Sequence, residues 1–502
     1  MPGNRRWLAV PAALFIVAFF AWPVARIIGR GLSGGALADL FTDRTLARVA
    51  WFTLWQALLS TIATLVVALP VTFILARRRF VGQSLVESLL LIPFVLPTVV
   101  VGAAYLALMP GSWKRSVPAI IVAHVFFNVA VVIRTVGPLW RQLDRRRGDA
   151  AATLGASPLV VARTIAWPFL RPAISAAAAI VFLFSFTSFG IVQLLGGPKR
   201  RTLEVEIYRR TAQLLDLRGA AALALVQLVA LGAALGLVSR RANHSITRSA
   251  VSDAERRPLG WLGRLTLLVT TGFFAAPLIA LIRRSGQWTT VFNDQAREAL
   301  WLSLRTAALA ALIATVLGVS AAVAIAAGGP WRRVLDVIIV LPLGTSAVTV
   351  GFGLLITYNA GWYDLRGSRM IVPIAHALIG VPFVVRTMVP VLSAIDPRQR
   401  DAAATLGASP WYVWRTIEFP RVRRAIVAGF GFATAVSIGE FGASSFLSRR
   451  SGPTLPILIG ELLGRPGQDN RERAYALAVL LAAVVAALMF TVDRLTADRR
   501  GR

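Results

Sequence analysis

Predominantly apolar runs recur along the whole chain, separated by short polar clusters. They fall at about 7–29, 49–76, 85–109, 117–140, 172–196 and 219–238, and again at about 261–282, 298–327, 334–357, 370–392, 425–447 and 473–492. A hydrocarbon core about 30 Å thick takes roughly 20 residues of helix at 1.5 Å each, and these runs meet or approach that length. The pattern predicts an all-α integral membrane protein with twelve transmembrane helices in two sets of six. The apolar part of the first run, from Trp7 to Ile28, is too long for a signal-peptide core of about 7 to 15 residues and is expected to be a retained helix.

Composition agrees with a bilayer as the solvent. Of 502 residues, 56% are hydrophobic and 15% charged, with mean hydropathy +0.68, where soluble domains carry about 25% charged residues. The net charge of +31 does not imply nucleic acid as a partner, because the basic residues lie in short clusters between apolar runs, as the positive-inside rule has them. With both termini cytoplasmic, Arg77 to Arg79, Arg145 to Arg147, Arg240 and Arg241, Arg332 and Arg333, and Arg499 and Arg500 fall inside, a modest excess that the outer loop holding Lys199 to Arg201, Arg209 and Arg210 opposes. The chain has no cysteine, which excludes disulfides, thiolate metal sites and a cysteine nucleophile. No metal site and no catalytic constellation is apparent, and no phosphate-binding loop of the G-x-x-x-x-G-K-[ST] type occurs.

The chain is an internal repeat. DAAATLGASPLVVARTIAWPFLRPAI at 149–174 returns as DAAATLGASPWYVWRTIEFPRVRRAI at 401–426, an offset of 252. The same offset relates Ala123-His124 to Ala375-His376, Arg134-Thr135 to Arg386-Thr387, Phe189-Gly190 to Phe441-Gly442, and Thr202-Leu203 to Thr454-Leu455. Two units follow, 1–239 and 261–502, joined by an Arg-rich linker at 240–260. Because each unit has an even number of spans, the two share one topology and are related by an axis along the membrane normal. The repeated segment, 141–171 in one unit and 393–424 in the other, is too polar to span. Asp149 and Asp401 are expected to cap a helix that Gly155 and Gly407 end, and Ser157-Pro158 and Ser409-Pro410 to start another.

This segment resembles the cytoplasmic coupling loop of binding-protein-dependent ABC importer permeases of type I. The matching positions are Asp149, Ala150, Ala151, Gly155, Ile165 and Pro168, and in the second unit Asp401, Ala402, Ala403, Gly407, Ile417 and Pro420. Asp stands where that family has Glu, and Trp167 and Phe419 stand where it has Leu. The resemblance implies a transport subunit that binds no cofactor itself. Two copies of a separate ATPase would carry ATP and magnesium, an extracytoplasmic solute-binding protein would deliver the cargo, and the location would be the bacterial inner membrane. The segments 123–128, 195–208 and 437–442 resemble the fused permeases of the thiamine and ferric-iron branch, with thiamine slightly favoured over iron. A secondary transporter driven by an ion gradient shares the hydropathy and the duplication but leaves the paired loops without a purpose.

Ionisable and polar residues at bilayer depth are the candidates for the pathway. Glu440 falls in the fifth span of the second unit, where the first has Ser188, and a single carboxylate there suits a cationic cargo; capping of a helix break at Gly439, or pairing with an Arg, fits equally. Asn128, Ser437 and the symmetric pair His124 and His376 complete the set. Arg134 and Arg386 are expected to snorkel, and Pro93, Pro97 and Gly102, with Pro342 and Gly351, to interrupt their spans.

Overall fold

The computed structural model describes residues 5–33, 35, 44–241, 259–291, 293–329, 331–359, 364–365, 367–448 and 452–496, and these are built from helices and short turns. The first half comprises α1 (Trp7–Leu32), α2 (Arg44–Arg77), α3 (Gln83–Val95), α4 (Thr98–Leu108), α5 (Val117–Gln142), α6 (Arg145–Thr153), α7 (Pro158–Val161), α8 (Trp167–Phe186), α9 (Gly190–Leu195), α10 (Leu203–Ala212) and α11 (Leu217–Arg241). The second comprises α12 (Trp261–Arg284), α13 (Asp294–Ala326), α14 (Arg332–Gly344), α15 (Ala347–Thr357), α16 (Ile371–Ser393), α17 (Pro397–Thr405), α18 (Pro410–Val413), α19 (Phe419–Ile438), α20 (Gly442–Leu447), α21 (Leu455–Gly464) and α22 (Gln468–Thr496). From α6 to α10, every helix boundary recurs 252 positions later in α17 to α21 (145 and 397, 167 and 419, 190 and 442, 203 and 455). The linker expected at 240–260 lies almost wholly outside the described residues.

Among the described residues, nine helices are long and apolar enough to cross a membrane, and eleven segments are if each of two bent pairs counts as one span. The remaining segment is α19, the counterpart of α8, whose first turns carry Arg421, Arg423 and Arg424. All twelve apolar runs meet helices, but four are not the straight spans expected. The third bends by 110° between α3 and α4, and the ninth by 97° between α14 and α15. At the first bend Pro97 is the residue before α4, and at the second Ser346 caps α15 by accepting from Val348 N at 3.1 Å. The fifth and eleventh spans end early, α8 at Phe186 and α19 at Ile438, and short helices α9 and α20 resume after the breaks.

Lipid offers no hydrophobic drive for helices to associate, so close packing of small side chains must hold the bundle. Along α13 the buried face carries Ala299, Ala307, Ala310, Ala311, Ala314, Ala321 and Ala322, which let α16 and α19 approach closely. On α2 the buried hydroxyls of Thr53, Thr61, Thr64 and Thr72 donate back to carbonyls four residues earlier, each at 2.7 Å, and so are paired within the helix itself.

The opening helix of each half packs on the other half. Tyr358 at the end of α15 donates its hydroxyl to the Ala18 carbonyl of α1 at 2.8 Å, and its ring lies 5.5 Å from that of Phe19. Reciprocally, Phe274 of α12 stacks on Phe126 of α5, with centroids 5.1 Å apart and planes at 28°. The two halves are thereby exchanged into one body.

Candidate translocation cavity and coupling helices

The two repeated segments expected to be coupling loops have one geometry built twice. Asp144 caps α6 by accepting from Arg146 N at 3.0 Å, and Asp396 caps α17 by accepting from Arg398 N at 2.9 Å. This corrects the expectation for Asp149 and Asp401, which are exposed in the interior of their helices, because an earlier aspartate already occupies the cap. Both helices end in the same way. Gly155 has φ +84° and Gly407 φ +78°, Ala156 N donates to Ala151 O and Gly155 N to Ala152 O, and the second unit repeats both bonds at Ala408 and Gly407, all at 3.0 Å. That pairing requires a left-handed residue, which glycine supplies without a Cβ clash.

Ser157 then caps α7 by accepting from Val160 N at 3.4 Å, and Ser409 caps α18 by accepting from Tyr412 N at 3.3 Å, with Pro158 and Pro410 in the first turn. The chain runs without a loop into α8 and α19 through a π turn at Ala162–Ala166 and at Trp414–Glu418. These turns hold Ile165 and Ile417, and Pro168 and Pro420 follow at the start of the span. Ala150 and Ala402 lie exposed beside the aspartates, with Ala403 half-buried. The tips present apolar side chains to solvent, Leu154 and Leu406 being 88% and 87% exposed, with Leu159, Trp411 and Tyr412 nearby.

The second coupling segment is tied down more firmly. Glu418, buried, forms an ion pair with Arg400 at 2.7 Å, and Arg400 also donates to Leu392 O at 3.1 Å. The matching positions in the first half are Ala166 and Gly148.

Between the halves lies a cavity of about 570 Å³ lined by both. Its apolar wall includes Phe94, Phe127, Phe184, Phe383 and Phe432, and its polar lining includes His124, Asn128, Ser188, Glu204, Ser346 and Glu440. Arg134 and Arg386, 252 positions apart, line it from the ends of α5 and α16 nearest the coupling helices. Both are exposed residues as well as groups of the cavity wall. At the opposite end the rings of Phe189 and Phe441 stack, and beyond them is a second cavity of about 370 Å³ with Arg115, Gln193 and Glu461 on its wall.

Of the six pathway residues expected from sequence, His124, Asn128, Ser188 and Glu440 line the larger cavity, whereas His376 and Ser437 do not line it and instead support Glu440. Ser437 Oγ lies 2.7 Å from His376 Nδ1, and His376 Nε2 lies 3.1 Å from Glu440 Oε2. The Glu440 carboxylate also accepts from Ala443 N at 2.8 Å, Ser444 N at 2.9 Å and Ser444 Oγ at 2.9 Å, so it caps the break before α20. Among the described residues no arginine takes part in this network.

Residues 68–248 and 314–499 match the family described as the binding-protein-dependent transport system inner membrane component, once in each half. The chain belongs to this family. The matched segments contain both repeated polar segments and every residue named above on the larger cavity, while α1 and α12, the exchanged helices, lie outside them. This permease is 28% identical over 539 residues to the thiamine transport system permease protein ThiP of Brucella suis, spanning 99% of this chain and 98% of that protein. It is 26% identical to the ThiP proteins of Escherichia coli, over 90% of this chain and 89% of that one, and of Haemophilus influenzae, over 95% and 94%.

Sequence reasoning did not single out Glu204, Phe189 or Phe441, which line the larger cavity. Glu204 lies in a segment that hydropathy leaves between spans, yet α10 carries it into the interior, where it is buried. A signal was present: like Glu440, it breaks the repeat, since the position 252 residues on is Pro456.

Proposed function

We propose that this protein is the membrane permease of an ATP-driven importer for thiamine, with both six-span units supplied by one chain. Family membership establishes an inner-membrane transport component. Its similarity over nearly the whole chain to permeases named for thiamine transport carries the choice of cargo. The central cavity is consistent with that cargo, being shared between the halves, wide enough for a small organic molecule and lined by aromatic rings and two carboxylates.

The mechanism follows from the two ends. Two copies of a separate ATPase, which hold ATP and magnesium, dock on the exposed tips around Leu154 and Leu406, each tip matched to one ATPase. The π turns connect each tip to α8 or α19 without a flexible loop, so a displacement of the coupling helix is passed to the span that ends at the Phe189 and Phe441 breaks. The coupling tips and both termini face the cytoplasm. The larger cavity, reached from the coupling side and closed at the far end by the aromatic pair, is then inward-facing. A solute-binding protein on the other side delivers cargo when that pair parts.

A thiamine auxotroph lacking its own importer tests the cargo. Expression of the chain with its ATPase and binding protein restores growth on nanomolar thiamine; restored ferric-iron uptake without thiamine uptake would move the protein to the iron branch.

A further inference from the structure

The larger cavity is built from matched halves but its polar lining is not symmetric. Three of its lining side chains carry a buried polar atom with no hydrogen-bond partner among the described residues: His124 Nε2, Asn128 Oδ1 and Glu204 Oε2. All three belong to the first half. At the mirrored positions His376 is hydrogen-bonded through both ring nitrogens, position 380 is Gly and position 456 is Pro. Buried polar groups in folded proteins are nearly always paired, and three orphans on one wall of one cavity call for a reason.

Each orphan is held in place by its other end. His124 Nδ1 lies 3.0 Å from Ser60 Oγ, Asn128 Nδ2 donates to Ser185 Oγ at 3.4 Å, and Glu204 Oε1 accepts from Gln227 Nε2. Glu204 also differs from its acidic neighbours. Glu206 is neutralised by Arg201 and Arg209 at 3.1 Å and Arg210 at 3.4 Å, and both oxygens of Glu440 are held by His376 and the start of α20. Glu204 has no ion-pair partner among the described residues; its neighbours are the neutral side chains of Gln227 and, from the second half, Ser346.

We propose that His124, Asn128 and Glu204 form the cargo-recognition wall of this cavity and take an organic cation that also carries a hydrogen-bond donor. A carboxylate oxygen and an amide oxygen can only accept, so they ask for positive charge and for N–H or O–H. An imidazole nitrogen whose partner nitrogen is fixed supplies a third, directional contact. The opposite wall, already satisfied internally, contributes aromatic surface. All three atoms are shielded from solvent in this conformation, so cargo meets them when the wall parts during the transport cycle, and their unmet bonds favour the liganded state. The site is weak by construction, with one buried carboxyl group that has no ion-pair partner among the described residues, which suits a pathway that must release what it binds. Thiamine has the required chemistry in its thiazolium ring and its exocyclic amino group. The proposal rests on the thiamine reading only for the choice of that probe.

Because the chain has no cysteine, a single reporter can be placed at Thr187, a half-buried residue on the cavity wall outside the proposed set. The full transporter carrying Thr187→Cys is labelled with a small thiol reagent, with thiamine, choline or a thiamine analogue bearing a neutral ring in place of the thiazolium. Thiamine is expected to slow labelling, and Glu204→Gln in the same background to raise the thiamine concentration needed by about tenfold, as loss of one charged hydrogen bond implies. The neutral analogue should protect both proteins alike. Equal labelling rates without ligand show that the variant cavity is intact. Protection by thiamine that is unchanged in Glu204→Gln overturns the site while leaving the cargo reading standing. Glu204-dependent protection by choline but not by thiamine leaves the site standing and overturns thiamine as the cargo.

Discussion

The rings of Phe189 and Phe441, 252 positions apart in sequence, stack with centroids 5.4 Å apart and planes at 29°. Each follows the break that ends its span, and both line the cavities on either side of them. Such a pair contributes about 0.5 to 1.5 kcal/mol beyond its buried area, and that contribution exists only while the far end is closed. Replacing both by Ala should shift the closed-to-open balance by roughly two- to tenfold and lessen the need for the binding protein. ATP hydrolysis without binding protein should rise accordingly. Unaltered basal hydrolysis in a well-inserted double variant would show that the pair is packing and not a gate.

Glu440 holds the residue beside this pair. Its carboxylate meets three donors of α20 and His376, so its charge is already answered. Glu440→Gln is expected to lower stability by about 1 to 3 kcal/mol, read as an earlier thermal transition of the purified transporter, and to keep the preference for thiamine over its neutral analogue. Loss of that preference with unchanged stability would return Glu440 to the role of cargo ligand.

Gly155 and Gly407 sit at φ +84° and +78° with open space around them, so a side chain would be strained by the backbone and not by a clash. A left-handed conformation costs an ordinary residue about 1 to 2 kcal/mol, and more for a β-branched one. The double change to Val should leave the protein in the membrane, as judged by its yield in membrane extracts, but abolish transport and stimulated ATP hydrolysis. Normal coupled transport in that variant contradicts the assignment of these segments as coupling helices.

The ion pair of Arg400 with buried Glu418 has no counterpart in the first half. Removing the arginine takes an ion-pair partner from a buried carboxylate, which costs up to about 3 kcal/mol. Arg400→Ala should therefore loosen the second coupling helix selectively, seen as faster hydrogen exchange over 397–418 than over 145–166. Equal exchange in the two segments would mean that the pair does not hold the helix.

The repeat made much of this legible, because ten identical residues at one offset fix the order of six helices in each half and the positions of the coupling helices within it. The break after Ile438 was legible only as one alternative for Glu440, and its counterpart after Phe186 was hidden, since hydropathy runs on through it; at the second break the reason is local, as the Glu440 carboxylate caps α20 across the gap. The 110° and 97° bends were visible as prolines and glycines but not in size. Nothing in the first apolar run says that α1 will lie against the second half, because Tyr358 and Ala18, which meet there, are 340 positions apart. Glu204 was passed over for a related reason: its helix is too polar to look like membrane and is buried by its neighbours, not by lipid.

Reconstitution tests the central claim most directly. Proteoliposomes holding the permease and its ATPase, with loaded binding protein on one side, ATP on the other and ionophores present to collapse ion gradients, should accumulate thiamine on the ATP side and stop when ATP is withdrawn. A mass measurement on the same particles should give one copy of this chain with two of the ATPase. Accumulation that needs an ion gradient and proceeds without ATP would contradict the account.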